Sequence, residues 1–155
     1  MSFEGAAEGA QHPAEPLTAL PCFLLYVGWR KAQALYRPLL EGQNPQRLYL
    51  FHLLRENGSM GVSEIAKALE LKLAGASGLI SRMEEQGFIQ RERSERHHLE
   101  KLCSLTPLGL KTFAELSSRI ETVDRQLLGR MYPSDLAALE NVVRQVKALA
   151  SDRAD

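Results

Sequence analysis

The sequence predicts a mainly α chain that carries one small β hairpin. Apolar side chains recur at helical spacing in six segments, and several of these segments open with a residue that can cap a helix. Two short segments near the middle, 88–93 and 99–105, are separated by a polar stretch, as in two strands joined by a tip. The predicted order is four helices, the hairpin, a long helix and a final helix.

The composition is that of one ordinary soluble domain. The chain has 155 residues, of which 45% are hydrophobic and 25% charged. No apolar run approaches the roughly 18 residues that span a bilayer, so we expect no membrane partner. Residues 1–16 carry three Glu and no Lys or Arg, unlike a signal peptide, and are predicted to form a disordered tail. We therefore expect a cytoplasmic protein with two reduced cysteines.

The first two helices are defined by their end signals. Thr18 can act as the N-cap of a first helix that runs to about Leu40. Asn44-Pro45 is a strong restart signal, because Asn caps helices and Pro suits the first helical position. The second helix is predicted to stop at Asn57-Gly58, where Gly can adopt a left-handed cap.

The middle of the chain predicts a DNA-binding module. Ser63 can cap a short third helix, and a turn at 71–74 leads to a fourth helix that Gly87 closes. Two helices joined by a turn and followed by a hairpin form a winged helix-turn-helix. We predict this module over residues 44–106.

The C-terminal third predicts two long amphipathic helices. Thr106-Pro107 repeats the cap signal and opens a helix that breaks at Tyr132-Pro133, and Ser134 can cap the last helix. Their apolar stripes need a surface to bury them, which favours dimerisation. We predict one domain over 17–150, in which dimerisation helices over 17–43 and 107–150 flank the winged helix-turn-helix.

The chain resembles the MarR family of winged-helix regulators and, within it, the organic hydroperoxide resistance repressors. The runs that carry this resemblance are Cys-Phe-Leu-Leu-Tyr at 22–26, Tyr-Arg-Pro-Leu-Leu at 36–40, and the segments 82–89, 91–95 and 105–109. The resemblance implies a homodimer that holds double-stranded operator DNA until an N-terminal cysteine is oxidised. By position, Cys22 would be that cysteine, and Tyr26 and Tyr36 would be phenols that hydrogen-bond its thiolate across the dimer interface. An organic hydroperoxide or a small thiol would modify it.

Helix geometry supports part of this sensor. Cys22 and Tyr26 are i,i+4 neighbours and share a helix face, and a first-turn position favours an anion. The alternative is that Cys22 is a small hydrophobe that fills a helix interface, since free Cys is among the most buried residues. Cys103 falls on the second wing strand, where we expect a buried residue and no disulfide to Cys22.

The candidate DNA-contacting residues lie on the fourth helix and on the wing. They are Lys72, Ser77, Ser81, Arg82, Arg91, Arg93, Arg96, His97 and His98. The alternative for Arg82 is a surface salt bridge to Glu84 or Glu85. Adjacent histidines on an extended tip point to opposite faces, so we expect no metal at His97-His98. The net charge is zero, so any basic footprint must be local.

No phosphate loop, nucleophile elbow or metalloprotease pattern occurs, so we expect no enzyme and no cofactor.

Two further functions stay open because the sequence departs from the family pattern. His97-His98-Leu99 replaces the family's Asp-Arg wing motif, and a third tyrosine near Pro45 is missing. The chain could instead answer to a small lipophilic or phenolic ligand with Cys22 structural. It could also be a winged-helix interaction protein with weakened DNA reading.

Overall fold

The structure is a computed structural model that describes residues 16–41, 43–93 and 101–152. Most of the predicted tail, 1–15, and the predicted wing-tip residues Arg96, His97 and His98 lie outside these ranges. The contacts within the chain divide it into two units, one that ends at Leu35 and one that begins at Tyr36.

The described ranges contain six helices and one small antiparallel sheet. The helices are α1 (Pro21–Tyr36), α2 (Gln46–Asn57), α3 (Val62–Ala68), α4 (Leu73–Glu85), α5 (Pro107–Leu128) and α6 (Pro133–Asp152). The strands are β1 (Ser59–Gly61), β2 (Ile89–Arg93) and β3 (Lys101–Leu105), in the order β1-β3-β2. The predicted mainly α fold with a hairpin is confirmed.

The strand β1 was not predicted from the sequence. Three residues are too few to show the alternation by which strands are recognised. The strand exists because β3 offers a partner edge, with Met60 opposite Cys103 and Gly61 opposite Leu102. The wing is therefore anchored to the start of the helix-turn-helix by a third strand.

The first helix is shorter than predicted at both ends. Thr18 is not its N-cap, because Thr18 lies in a 3-10 turn over Leu17–Ala19 and α1 begins at Pro21. The helix ends at Tyr36, not at Leu40. Pro38 lacks an N–H, and a residue that precedes a proline is disfavoured in helical conformation, so the chain continues in turns.

The second helix has the predicted end signals with a shift of one residue at its start. Asn44 Oδ1 accepts a hydrogen bond from the Gln46 N–H at 2.9 Å, and α2 begins at Gln46. At the other end Gly58 has φ of +77° and donates its N–H to the Leu54 carbonyl at 2.9 Å. A positive φ is costly for residues with a side chain, which explains the glycine.

Two predicted caps are wrong for a common reason. Ser63 lies inside α3, and the N-terminal turn is closed by the Glu64 carboxylate, which accepts from the Gly61 N–H at 2.9 Å. Ser134 lies inside α6, where Asp135 Oδ2 accepts from the Tyr132 N–H at 2.7 Å. In both helices an acid reaches back to a free N–H, as in a capping box, and leaves the serine without that role.

The start of α5 ties this helix to the end of α4. Thr106 Oγ1 accepts from the Gly109 N–H at 3.0 Å, and its hydroxyl donates to the Gly87 carbonyl at 2.6 Å. A Cβ at position 109 would lie 2.1 Å from the Phe88 carbonyl oxygen. Glycine at 109 is therefore required sterically, and Thr106-Pro107 acts as the predicted cap.

The core lies within the winged helix-turn-helix. Its fully buried members come from α2, α3, α4, β2 and β3, and they are Leu50, Phe51, Leu54, Ile65, Leu79, Ile80, Met83, Ile89 and Cys103. A smaller cluster, Leu40, Leu48 and Ile120, joins α2 to α5. No helix in the described ranges is both long and apolar enough to cross a membrane.

Candidate functional sites

The helix α4 has one face in the core and one face in solvent. Ala76, Leu79, Ile80 and Met83 are buried, and the helix packs against α3. Its N-terminal end is open, with Lys72 at the N-cap and Leu73 57% exposed. An open N-terminal end of this kind is compatible with the predicted DNA-contacting face of α4.

Two of the residues predicted to contact DNA are joined to each other. Arg91 on β2 donates from Nη2 to the Ser81 hydroxyl on α4 at 2.8 Å. Its Nε lies 3.2 Å from Glu84 Oε2, which is close enough for an ion pair. The angle does not suit a hydrogen bond, so the contact is ionic. Arg91, Ser81 and Glu84 therefore link the wing to α4.

The remaining described cations are more exposed. The Arg82 guanidinium extends back along α4 toward Gly78. A Cβ added at Gly78 would lie 3.6 Å from Arg82 Nη1. No ion pair from Arg82 to Glu84 or Glu85 occurs within the described part of the chain, so the alternative of a surface salt bridge is not observed. Arg93, at the outer end of β2, is exposed, and Ser77 is half-buried on α4.

The predicted sensor cysteine lies at an accessible position. Cys22 is the second residue of α1 and is exposed. Tyr26, one turn later, is 52% exposed, and its hydroxyl accepts from Arg30 Nη1 at 3.2 Å. The Arg30 guanidinium lies 5.7 Å from the centre of the Tyr26 ring. Arg30, one helical turn after Tyr26, therefore places a positive charge beside this phenol.

Tyr36 lies in the second unit and has a different partner. Its hydroxyl donates to the Asp124 carboxylate on α5. Burial, the hydrogen bond and charge of Asp124, and the nearby Tyr49 raise the pKa of Tyr36 to about 12. A phenol has one hydrogen to donate, and in this conformation Asp124 accepts it.

Cys103 is a core residue. It is fully buried on β3, opposite Met60 on one side and Arg91 on the other. Burial raises the pKa of the Cys103 thiol, and the charge of Arg91 opposes this only in part. Both cysteines are free thiols, and the interior setting makes Cys103 the less reactive of the two.

A cleft beside α2 is a feature that sequence reasoning missed. It encloses about 270 Å³ and includes Arg47, Phe88 and Arg119 in its lining. The Arg47 guanidinium lies 5.2 Å from the centre of the Phe88 ring, and burial lowers the pKa of Arg47. A partly desolvated guanidinium on an aromatic face can hold a carboxylate. No group of three potential metal ligands occurs in the part of the chain that the structure describes.

Comparison with known proteins supports the family that these features suggest. Residues 44–96 match the family model described as MarR family. The chain is 40% identical over 91 residues to the organic hydroperoxide resistance transcriptional regulator of Bacillus subtilis. That alignment covers 57% of this chain and 61% of the relative, so the chain spans less than two thirds of that relative's length.

Solved structures share the fold over most of the chain. The PcaV transcriptional regulator of Streptomyces coelicolor, solved with its natural ligand, has a TM-score of 0.77 at 18% identity, covering 88% of this chain and 98% of PcaV. The BpsR protein of Bordetella bronchiseptica, whose DNA binding is regulated by 6-hydroxynicotinic acid, has a TM-score of 0.74 at 17% identity, with 85% and 96% covered. The module over residues 44–96 therefore matches the MarR family model, and the chain shares its fold with these solved regulators.

Proposed function

We propose that this chain is a homodimeric transcriptional repressor that releases operator DNA when an organic hydroperoxide oxidises Cys22. The observation that carries the proposal is the 40% identity to a regulator of organic hydroperoxide resistance, together with an exposed cysteine in the first turn of α1. Cys22 is exposed, so its thiol is not packed into the core of its own chain.

The chemistry is that of a thiolate and a peroxide. The Cys22 sulfur attacks the terminal oxygen of ROOH, and the O–O bond breaks. The alkoxide takes a proton and leaves as an alcohol, so that the peroxide is reduced and Cys22 becomes a sulfenic acid. A small thiol can then condense with the sulfenic acid, which releases water and leaves a mixed disulfide. Cys22 is the second residue of α1, at the end of the helix where the backbone N–H groups are free.

DNA binding would use α4 and the wing. The exposed N-terminal end of α4 would enter the major groove, with Lys72 and Arg82 as the available cations. Arg93 on β2 would reach a phosphate. Because the chain has no net charge, we expect few phosphate contacts and an affinity that falls with salt.

Dimerisation would cover the apolar side chains of α6. No residue of this helix is buried in the single chain. Its exposed apolar residues are Leu136, Leu139, Val142, Val143, Val146 and Leu149. An isolated helix with such a face needs a partner surface, and a second copy of the chain would provide it.

The experiment compares DNA release in matched cysteine variants. Wild type, Cys22→Ser and Cys103→Ser are titrated onto a duplex from the region upstream of the chain's own gene, with and without cumene hydroperoxide. Wild type and Cys103→Ser should release DNA on oxidation, whereas Cys22→Ser should stay bound. Equal release from all three proteins would show that Cys22 is not the switch.

A second candidate function is regulation by a small carboxylate that binds in the Arg47 cleft. It is favoured by the guanidinium on the Phe88 ring and by the volume of the cleft, which suits an aromatic acid. The BpsR protein, which shares the fold, is regulated by 6-hydroxynicotinic acid. Under this function, 6-hydroxynicotinic acid or benzoate would release DNA from Cys22→Ser as well as from wild type, and Arg47→Met would abolish the response.

A further inference from the structure

The open end of α4 is unusually poor in groups that can hydrogen-bond to bases. Leu73, the first residue of the helix, is 57% exposed, and Ala74 and Gly75 beside it are also exposed. None of these side chains carries a donor or an acceptor. Under the proposed DNA-binding function, on which this inference rests, this is the end of the helix that enters the groove.

The polar residues of α4 offer little replacement. The Ser81 hydroxyl is engaged by Arg91 at 2.8 Å, and Glu84 neutralises that arginine. Lys72 lies at the helix N-cap, where its flexible cation suits a phosphate better than a base edge. Polar readout by α4 is therefore left to the half-buried Ser77 and to Arg82, whose guanidinium extends back toward Gly78 and not to the first turn.

One glycine keeps the same surface low. Glycine destabilises a helix interior relative to alanine, so its presence in α4 needs a reason. A Cβ at the exposed Gly75 would meet nothing within 4 Å, so packing within the chain does not require this glycine. At Gly78, by contrast, the Arg82 guanidinium already lies over the helix, with Nη1 3.6 Å from an added Cβ. Gly75 therefore leaves room for another molecule to approach the helix closely.

We propose that α4 recognises thymine in its half-site by apolar contact, with Leu73 and Ala74 against the C5 methyl groups. Thymine alone among the four bases presents a methyl group in the major groove, and short apolar side chains are its usual partners. The low surface at Gly75 lets this end of the helix lie deep enough for this contact. Sequence preference at these positions then comes from methyl burial, not from hydrogen bonds.

The test removes the methyl groups one at a time. Duplexes that the full chain selects from a random library are prepared with each thymine replaced singly by deoxyuridine, which lacks only the C5 methyl. At one or two positions of the half-site, the replacement should lower the affinity of the protein for the duplex about fourfold, the value expected for one buried methyl group. In Leu73→Ala the same replacement should change affinity by much less. Lys72→Ala, the matched control, should weaken binding to both duplexes equally.

Gly75→Ala gives a second test, in which thermal stability and DNA affinity should change in opposite directions. The substitution should raise the thermal stability of the protein, because the added methyl meets open space in a helix, and should weaken DNA binding several-fold. A purely structural role for this glycine would not produce both changes.

Each outcome separates this inference from the function on which it rests. Failure to enrich any sequence, with no salt-sensitive binding, would remove DNA binding and this inference together. A selected site that tolerates deoxyuridine at every thymine would leave DNA binding intact and overturn methyl recognition. Deoxyuridine sensitivity that is unchanged in both Leu73→Ala and Ala74→Gly would overturn the assignment to these residues.

Discussion

At the residue scale, the two thiols of the chain occupy opposite environments. Cys22 is exposed near the start of α1, whereas Cys103 is completely buried in the sheet, and burial raises its pKa. Only a thiolate attacks peroxides or disulfide reagents at a useful rate. A chain with one accessible thiol and one interior thiol is suited to a one-cysteine mechanism.

This contrast predicts two kinetic classes of thiol. In native protein, Ellman's reagent should label one thiol quickly, and the second should react only after unfolding in denaturant. Cys22→Ser should lose the fast phase and keep the slow one. Two fast thiols in native wild type would mean that Cys103 is far more accessible than its position in the core indicates.

Tyr36 and Asp124 predict a dependence of stability on alkaline pH. The pKa of Tyr36 is raised from 10.0 to about 12, so the folded state holds a proton that the unfolded state releases. The resulting stabilisation is complete below pH 10 and is lost as pH rises from 10 to 12, by an amount on the order of 1 kcal/mol after solvent screening. Denaturant unfolding of wild type should show this loss, and Tyr36→Phe should lack it.

A spectroscopic titration gives the matching site-specific result. Absorbance at 295 nm should show one tyrosine that ionises well above the others in wild type. Asp124→Asn removes the negative charge and should move that titration back toward the ordinary value of 10. An unchanged titration curve in Asp124→Asn would contradict the assignment of the shift to this carboxylate.

At the element scale, the junctions between helices and strands determine how the module holds its shape. Thr106 and Gly109 fasten the start of α5 to the turn after α4. Arg91 fastens β2 to α4 through Ser81 and Glu84. These polar and steric contacts join neighbouring elements, and they hold α4, the wing and the start of α5 together.

The junction at Gly109 can be tested by adding one methyl group. Gly109→Ala should destabilise the protein by about 3 kcal/mol, because the Cβ would lie 2.1 Å from a carbonyl oxygen and the backbone must move. Gly75→Ala is the matched control and should be stabilising by about 0.5–1 kcal/mol, since its Cβ meets nothing. Denaturant unfolding measures both; equal effects would contradict the steric requirement at 109.

The two arginines of β2 should behave differently. Arg91→Ala breaks the link to α4 and should lower stability by about 1–2 kcal/mol, because it leaves Ser81 and Glu84 without their partner. Arg93→Ala should leave stability unchanged, since the side chain is exposed. It should reduce the slope of log K for DNA binding against log salt concentration by about one. The reverse pattern would mean that the roles of the two residues are exchanged.

At the scale of the whole molecule, the chain has more apolar helix surface than its own core covers. Among the residues of α6, none is buried, although six carry exposed aliphatic side chains. Lys147 of this helix contacts Glu70 through an exposed ion pair at 2.5 Å, a contact of low energetic weight. Most of the stabilisation of α6 must therefore come from an apolar partner, which we propose is a second copy.

The proposed dimer can be tested by charge substitution on α6. Leu139→Glu together with Val143→Glu places two charges on adjacent turns of the apolar face and should produce a monomer in sedimentation. Asn141→Asp, on the other side of the helix, adds a charge away from that face and should leave the mass unchanged. A dimer that survives both glutamates would exclude this surface as the interface.

The sequence by itself determined the helices, because helical periodicity and caps are local signals. Asn44-Pro45, Gly58 and Thr106-Pro107 marked element ends that the structure confirms, since a cap acts within four residues of itself. Ser63 and Ser134 misled because each helix begins one residue earlier than its serine, and a neighbouring acid accepts from the N–H that precedes the helix. The mainly α fold with a winged helix-turn-helix followed from these signals.

Only the tertiary structure decided which side chains meet. Tyr36 and Asp124 are 88 residues apart in the chain, and Arg91 reaches Ser81 across a turn between two elements. The strand β1 exists only because β3 pairs with it, and the Arg47 cleft forms only where α2 and α5 lie side by side. Such pairings depend on how separate elements pack, and a pattern with a period of a few residues carries no information about them.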